Sequence, residues 1–336
     1  MTTGQAERAA PLSPAAGTGR TWLAALARRH GATLVLGLVI LLGSLTFGSS
    51  FTGPGNLGAI ALDASYLLLA ATGMTFVILS GGIDLSVGSV LALSGVLAAY
   101  GSRWGTAGAV LLPLAVCGLI GLVNGLLVGR ARLAPFVVTL ATLLFARGLA
   151  FAVSQEGNQV YIIPADLALT RIGQATVLGV GVPVLIALAV FAVAGVVLNR
   201  TRFGLRVFAA GNGDGHAAEL MGLPVARIRV RVYVLSSLLA GLAGVLIAAQ
   251  TASGLPTLGE GRELEAIAAV VIGGTLLTGG AGSLGGTLAG VLLLKVIQNL
   301  INQVGTLSSA YQQVVSGTFL VLVVLVQAAL ARRRRQ

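Results

Sequence analysis

Ionisable and sulfur-bearing side chains are scarce in this chain of 336 residues, which has one cysteine, one lysine, two histidines and only 9% charged residues. The single cysteine, Cys117, excludes disulfides and cysteine-based metal sites, and its place in the apolar run Ala109–Val128 reads as a small buried hydrophobe. His30 and His216 both fall outside the apolar runs, so no histidine cluster is at hand for metal chemistry. The lone lysine, Lys295, stands in LLLKVIQ; there is no GxxxxGK(S/T), and the chain has no P-loop with which to bind ATP. GxSxG is missing too, and no histidine lies in a span, which argues against an intramembrane Ser–His hydrolase. No enzymatic site, cofactor or metal is expected in the chain itself. Aromatic residues are 5% and do not interleave the basic stretches, so the net charge of +11 does not mark a nucleic-acid-binding face.

What is present is apolar. Hydrophobic residues make up 56% and the mean hydropathy is +0.96, more apolar surface than a soluble domain of this length can hide, so lipid is the solvent for much of the chain. Spans are expected at Thr33–Phe47, Ala59–Leu79, Val87–Tyr100, Ala107–Val128, Pro135–Val153, Thr176–Leu198, Val232–Gln250, Glu265–Thr278, Leu284–Val304 and Tyr311–Leu330. Several fall short of the roughly 20 residues of a simple span and adjoin glycine-rich stretches, which points to broken or tilted helices. The expected fold is all-α, a polytopic membrane protein of about ten transmembrane helices with both termini cytoplasmic. Arginine supports this orientation. Four arginines in the first thirty residues, Arg130 and Arg132, six in the segment Asn199–Arg231 and four in the tail fall inside, against Arg103, Arg171 and Arg262 outside; Arg147 and Lys295 lie within spans.

Residues 1–30 show no apolar period and read as a disordered cytoplasmic tail, 31–330 as the membrane domain and 331–336 as a basic cytoplasmic tail. Arg28-Arg29-His30 before an apolar run imitates a signal peptide, but Ser44–Phe51 offers no small-residue cleavage site, and the run reads as a retained first span. On the outer side, Ser154–Ala175 is the longest exposed piece, too short for a domain and long enough for a docking surface.

Four features could carry mechanism. The longest polar interruption, Asn199–Arg231, contains Ala217-Ala218-x-x-x-Gly222-Leu223-Pro224, a short helix with a small-residue face, ended by glycine and proline. It is either a surface for a partner or a solvated loop whose charges fix topology. Gly121, Gly125, Gly129 and Gly282, Gly286, Gly290 recur at a spacing of four, the pattern of closely packed helices. Ile78–Ser89 places Gly81, Gly82, Asp84 and Ser86 in an apolar stretch, a helix break in which Asp84 caps a helix or lines a path. Asn124, on the span of the first ladder, joins these candidates. In the ninth span Lys295, Asn299 and Asn302 share a face with Gln298 beside them, either an interhelical seam or a water-filled path. An ion-coupled carrier would have Asp84, Arg147 and Lys295 as its intramembrane charges.

GMTFVILSGGIDLSVGSVLALSG (Gly73–Gly95), RTRFGLRVFAAG (Arg200–Gly211) running into AAELMGLPVARIRVRVY (Ala217–Tyr233), and GRELEAIAAVVIGGTLLTGGAGSLGGTLAG (Gly261–Gly290) resemble the permease subunit of the bacterial ribose-type sugar ABC importers. The likeness runs from about residue 33 to 330 in the same order and spacing. It implies a multi-pass permease of the bacterial cytoplasmic (inner) membrane that pairs with a second copy or a close paralogue. Its partners would be a periplasmic or lipid-anchored substrate-binding protein and a cytoplasmic ABC ATPase that holds ATP and Mg. Residues 199–231 would then be the coupling loop, with Arg200, Arg202, Gly204, Arg206, Ala217, Ala218, Gly222 and Arg227 as its ATPase-coupling residues. Where importers commonly open the coupling helix with an acidic residue, Gly215 and His216 stand, with Asp214 and Glu219 close by. The implied cargo is a ribose-like monosaccharide or polyol. A branched-chain amino acid or nucleoside permease and an ion-coupled carrier are the alternatives.

Overall fold

The computed structural model describes residues 18–305 and four positions between 314 and 321, with side chains from Gly31 onward, Asp214 excepted. Residues 1–17, most of the expected tenth span Tyr311–Leu330 and the tail 331–336 lie outside the described residues. Helices α1 (Thr18–Phe47), α2 (Ser49–Thr52), α3 (Pro54–Leu79), α4 (Val87–Gly101), α5 (Gly105–Gly129) and α6 (Pro135–Val153) form the first half. Helices α7 (Ala168–Gln174), α8 (Val182–Arg200), α9 (Arg202–Ala210), α10 (His216–Leu220), α11 (Val225–Thr251), α12 (Arg262–Ile272) and α13 (Leu284–Val304) form the second. The fold is helical, as expected. Its only described strands are two antiparallel pairs of two residues each, β1 (Tyr161–Ile162) with β4 (Ser253–Gly254) and β2 (Thr176–Val177) with β3 (Val180–Gly181).

Proline opens several helices where a missing N–H costs nothing, at Pro54, Pro135 and Pro183. Helix α4 and the inner two thirds of α3 are buried almost throughout, and α11 packs along both. These three form the centre, with α5, α6, α8 and α13 around them. Among the described residues six stretches are long and apolar enough to cross a membrane, and one of them, Val87–Gly129, is a helical hairpin. The hairpin turns at Ser102–Trp104, where a side chain on Gly101 would meet Gly108 O at 2.6 Å. Arg103 lies 3.6 Å above the Tyr100 ring, with Trp104 and Tyr161 beside it, an aromatic cluster of the kind that sits at a membrane surface.

The first glycine ladder does what its spacing suggests. Added methyls on Gly121, Gly125 and Gly129 would meet the α11 backbone at Tyr233 O (2.7 Å), Val230 Cα (2.6 Å) and Ala226 O (2.6 Å). In the second ladder Gly286 and Gly290 abut Gly273 and Ala269 of the preceding helix, and Gly282 faces Thr275. Close backbone approach holds both pairs together.

Four expectations are corrected. Residues 18–30 are the start of α1, helical where disorder was expected. Thr176–Val177 and Val180–Gly181 form a hairpin with Leu178 fully exposed at its tip, and the sixth span starts only at Val182. The eighth, Glu265–Thr278, ends at Ile272, and a helix of 11 residues rises about 16 Å, half a hydrocarbon core. Ser154–Ala175 is not all exposed loop. It contributes β1 and α7, and Gly173 of α7 is so close to Ala249 that a methyl there would lie 2.5 Å from Ala249 Cβ.

Candidate functional site

Between α3 and α4 the chain folds back on the helix it has just left. Gly81 takes φ +81°, which a residue with a Cβ adopts at a cost, and Gly82 N–H donates to Val77 O at 3.0 Å. A side chain on Gly82 would meet the Tyr233 hydroxyl at 2.6 Å. The Tyr233 and Thr139 hydroxyls both donate to Ile83 O at 3.3 Å. Asp84 follows, fully buried. Its Oδ1 accepts the Ser86 N–H at 3.0 Å and the Ser86 hydroxyl, and its Oδ2 accepts the Ser236 hydroxyl at 2.9 Å. Ser86 Oγ in turn accepts from Asn124 Nδ2 at 3.2 Å, and Asn124 Oδ1 accepts the Thr142 hydroxyl at 2.6 Å. Asp84 closes the turn just before α4 and pins that turn to α5, α6 and α11, while Ser86, the N-cap of α4, makes no side-chain cap bond.

A second break follows α12. Gly274, Gly279 and Gly280 all have positive φ, and Gly280 N–H donates to Leu79 O at 3.0 Å, joining this break to the first. Thr75 and Thr287 share a hydroxyl hydrogen bond of 2.8 Å just above the junction. Gly211, at the end of α9, is wedged between the two. A methyl on it would overlap Leu79 O and come within 2.8 Å of Gly280 N. Three chain segments meet there because each presents a glycine or bare backbone.

Sixteen residues up α3, about 24 Å, lies a cluster of charges. Lys295 Nζ is 2.9 Å from Asp63 Oδ2, 3.0 Å from Glu265 Oε2 and 2.9 Å from Gln298 Oε1. Arg262 binds the same two carboxylates at 3.1 and 3.4 Å, and Gln298 Nε2 donates to Glu265 Oε1 at 2.9 Å. Asn56 and Asn299 exchange side-chain hydrogen bonds of 3.1 and 2.7 Å. A cavity of about 230 Å³ lies along this seam, lined by Ala59, Ile60, Asp63, Lys295, Gln298, Asn299 and Asn302. The stripe on α13 is thus an interhelical seam with a polar cavity beside it. Breaking one side of a buried ion pair is expensive, tempered here by the part-exposed Asp63. Lys295→Met is therefore expected to lower stability by roughly 2–4 kcal/mol, with part of the loss recovered when Glu265→Gln is added. Equal thermal midpoints for parent and Lys295→Met would show that the cluster contributes nothing.

The basic loop is folded. Thr201 caps α9 through Gly204 N–H, and Gly204 leaves no room for a side chain against the Leu198 carbonyl. Phe203 stacks on Phe76 at 6.3 Å, while Arg200, Arg202, Arg206 and Arg227 are exposed. In α10, Ala218 is buried and Ala217 exposed. Glu219 pairs with Arg132 of the α5–α6 turn at 3.2 Å. Leu220 and Met221 are 77% and 74% exposed, and Gly222 ends the helix at φ +81°.

Residues 56–324 match the family model described as branched-chain amino acid transport system / permease component. The chain belongs to this permease family. The permease is also 40% identical to the ribose import permease protein RbsC of Bacillus subtilis, over 86% of its own length and 90% of that protein's. It is 36% identical to the L-arabinose ABC transporter permease protein AraH of Azospirillum brasilense, over 97% and 94%, and 35% identical to the fructose import permease protein FruG of Bifidobacterium longum, over 89% and 90%. No solved structure matches. Membership of an ABC permease family removes the ion-coupled carrier from the alternatives.

The structure brings Gly81, Gly82, Asp84, Ser86 and Asn124 of the permease together at one break, and Lys295 and Asn299 at the opposite end with Asn302 lining the cavity. It does not join the two groups. Sequence reasoning counted Asp84, Arg147 and Lys295 as the intramembrane charges and missed Asp63, Glu263 and Glu265. Two readable signals existed: Asp63 sits within the span Ala59–Leu79, and Glu265 opens an apolar run.

Proposed function

We propose that this permease is the membrane-spanning subunit of an ATP-driven importer and translocates a ribose-like monosaccharide or polyol released by an external binding protein. The observation that carries the reading is near-full-length identity of 35–40% to proteins named as ribose and fructose import permeases. Branched-chain amino acids appear in the family description, but the relatives matched over most of this chain are named for sugars. Two copies, or one copy and a close paralogue, form the pore in the bacterial cytoplasmic membrane. ATP and Mg belong to a cytoplasmic ABC ATPase.

The coupling element is α10 with its flanks. Leu220, Met221 and Ala217 offer an apolar surface at a loop rimmed by Arg200, Arg202, Arg206 and Arg227, while the buried Ala218 and the Arg132–Glu219 pair hold the helix to the body. Ten crossings with both termini inside remain consistent with the arginine distribution. The short α12 completes a crossing together with the strand and turns of Ala252–Gly261. Gly222 sits at positive φ facing open space, so a large side chain there strains the turn and projects into the docking surface. In proteoliposomes holding permease, ATPase and binding protein, Gly222→Trp is expected to lower ATP-driven ribose uptake at least tenfold with normal amounts of permease in the membrane. Uptake at the parental rate would remove α10 from the coupling role.

A further inference from the structure

One group of charges belongs neither to the Asp84 break nor to the Lys295 cluster. After β4 the segment Leu255–Gly261 runs down along α4, from Gly254 packed on Val96 (2.7 Å for an added methyl) to Gly259 packed on Gly88 and Ala92. About 20 Å of helix separates Gly88 from Gly101 at the α4–α5 turn, so Glu260 and Glu263 lie deep within a core of about 30 Å. Glu263 is only 8% exposed, and its Oε2 has no hydrogen-bond partner among the described residues. A methyl on Gly88 would overlap that oxygen, so the glycine makes the space it occupies.

Within electrostatic reach of Glu263 is Arg147, the one charged residue of α6, about 9 Å of helix short of Val153. It makes no hydrogen bond or ion pair among the described residues. Arg147 is part-exposed and Glu260 exposed. A charge facing lipid costs up to about 2.5–3.5 kcal/mol on insertion scales, so this face of α6 and the α12 entry borders protein, water or a polar solute, and no partner from this chain covers it among the described residues.

We propose that Arg147, Glu260 and Glu263 form a solute-contact site within the translocation path, specific for neutral polyhydroxylated molecules. The proposal rests on the importer reading. A guanidinium only donates hydrogen bonds and a carboxylate only accepts them, whereas a vicinal diol does both, so adjacent hydroxyls bridge the cation and the unpartnered Oε2. Two carboxylates against one guanidinium disfavour anionic cargo such as sugar phosphates. Because cation and carboxylate do not close on each other directly, the contact stays weak enough for passage.

Single-cysteine labelling tests the site, since native Cys117 is fully buried. In the reconstituted complex, Arg147→Cys and Glu260→Cys are expected to react with a membrane-impermeant, cationic methanethiosulfonate at least tenfold faster than Leu119→Cys, whose position on α5 is exposed and apolar. Reaction no faster than at Leu119→Cys overturns the proposal. Glu263→Gln is expected to lower the ribose moved per ATP hydrolysed at least tenfold, whereas a structural role lowers both rates together and leaves that ratio unchanged. Failure of the importer reading looks different: the unsubstituted complex shows no ATP-driven uptake, while the labelling result still decides whether the site meets water.

Discussion

Asp84→Ala is expected to destabilise the solubilised permease by roughly 3–5 kcal/mol, as each buried donor left unsatisfied costs about 1–3 kcal/mol. Three donors converge on this carboxylate: the Ser86 N–H, the Ser86 hydroxyl and the Ser236 hydroxyl. The two hydroxyls can rotate towards other acceptors, but the backbone N–H cannot, and it opens α4. Losing the carboxylate frees the turn that holds Ile83 O against Thr139 and Tyr233. Asp84→Asn keeps one acceptor oxygen for Ser86 and turns an amide towards Ser236, whose hydroxyl can accept, so its loss is expected to be about 1 kcal/mol, one ordinary hydrogen bond. Thermal midpoints followed by size-exclusion chromatography should rank parent, Asn and Ala in that order. A midpoint for Asp84→Ala equal to the parent's contradicts the closing of this turn by Asp84.

Gly211→Val should abolish ATP-driven uptake, by more than a hundredfold, through a different route. Its side chain would overlap Leu79 O and crowd Gly280 N, prising the end of α9 from both breaks at once. On the proposed coupling role, motion of the loop would reach α3 and the break after α12 through this contact, because bistable packed elements, not smooth deformation, carry such changes. Gly195→Ala is the control, since nothing lies within 4 Å of its added methyl and its φ is ordinary. Gly195→Ala should transport like the parent. Uptake within threefold of the parent by Gly211→Val would mean that the junction does not transmit the stroke.

Local features were legible in the sequence and long-range ones were not. The glycine ladders at spacing four face neighbouring backbones, and Asp84 among two glycines and two serines does sit at a break, because both readings depend on residues a turn or two apart. The α13 stripe was visible, but the partners of its Lys295 lie 30 and 232 positions away, at Glu265 and Asp63, and that of its Asn299 lies 243 away, at Asn56, and no periodicity in one segment names the other side of a seam. The half-length α12 escaped because hydropathy runs on smoothly through Gly273–Thr278 while the backbone turns at Gly274. Arg147 was noticed only as a charge in a span. The proposed site joins it to Glu263, which stands at that depth because Leu255–Gly261 descends along α4, and that descent depends on the Gly88–Gly259 contact between segments far apart in sequence.

The measurement that tests the importer account most directly is a mild-detergent purification of the tagged full-length chain from its native membranes, with every co-purifying protein identified by mass. The account predicts recovery of an ABC ATPase with two nucleotide-binding halves, and its loss from the Gly222→Trp preparation. Recovery of the chain without any ATPase, from membranes that still take up ribose, would contradict it.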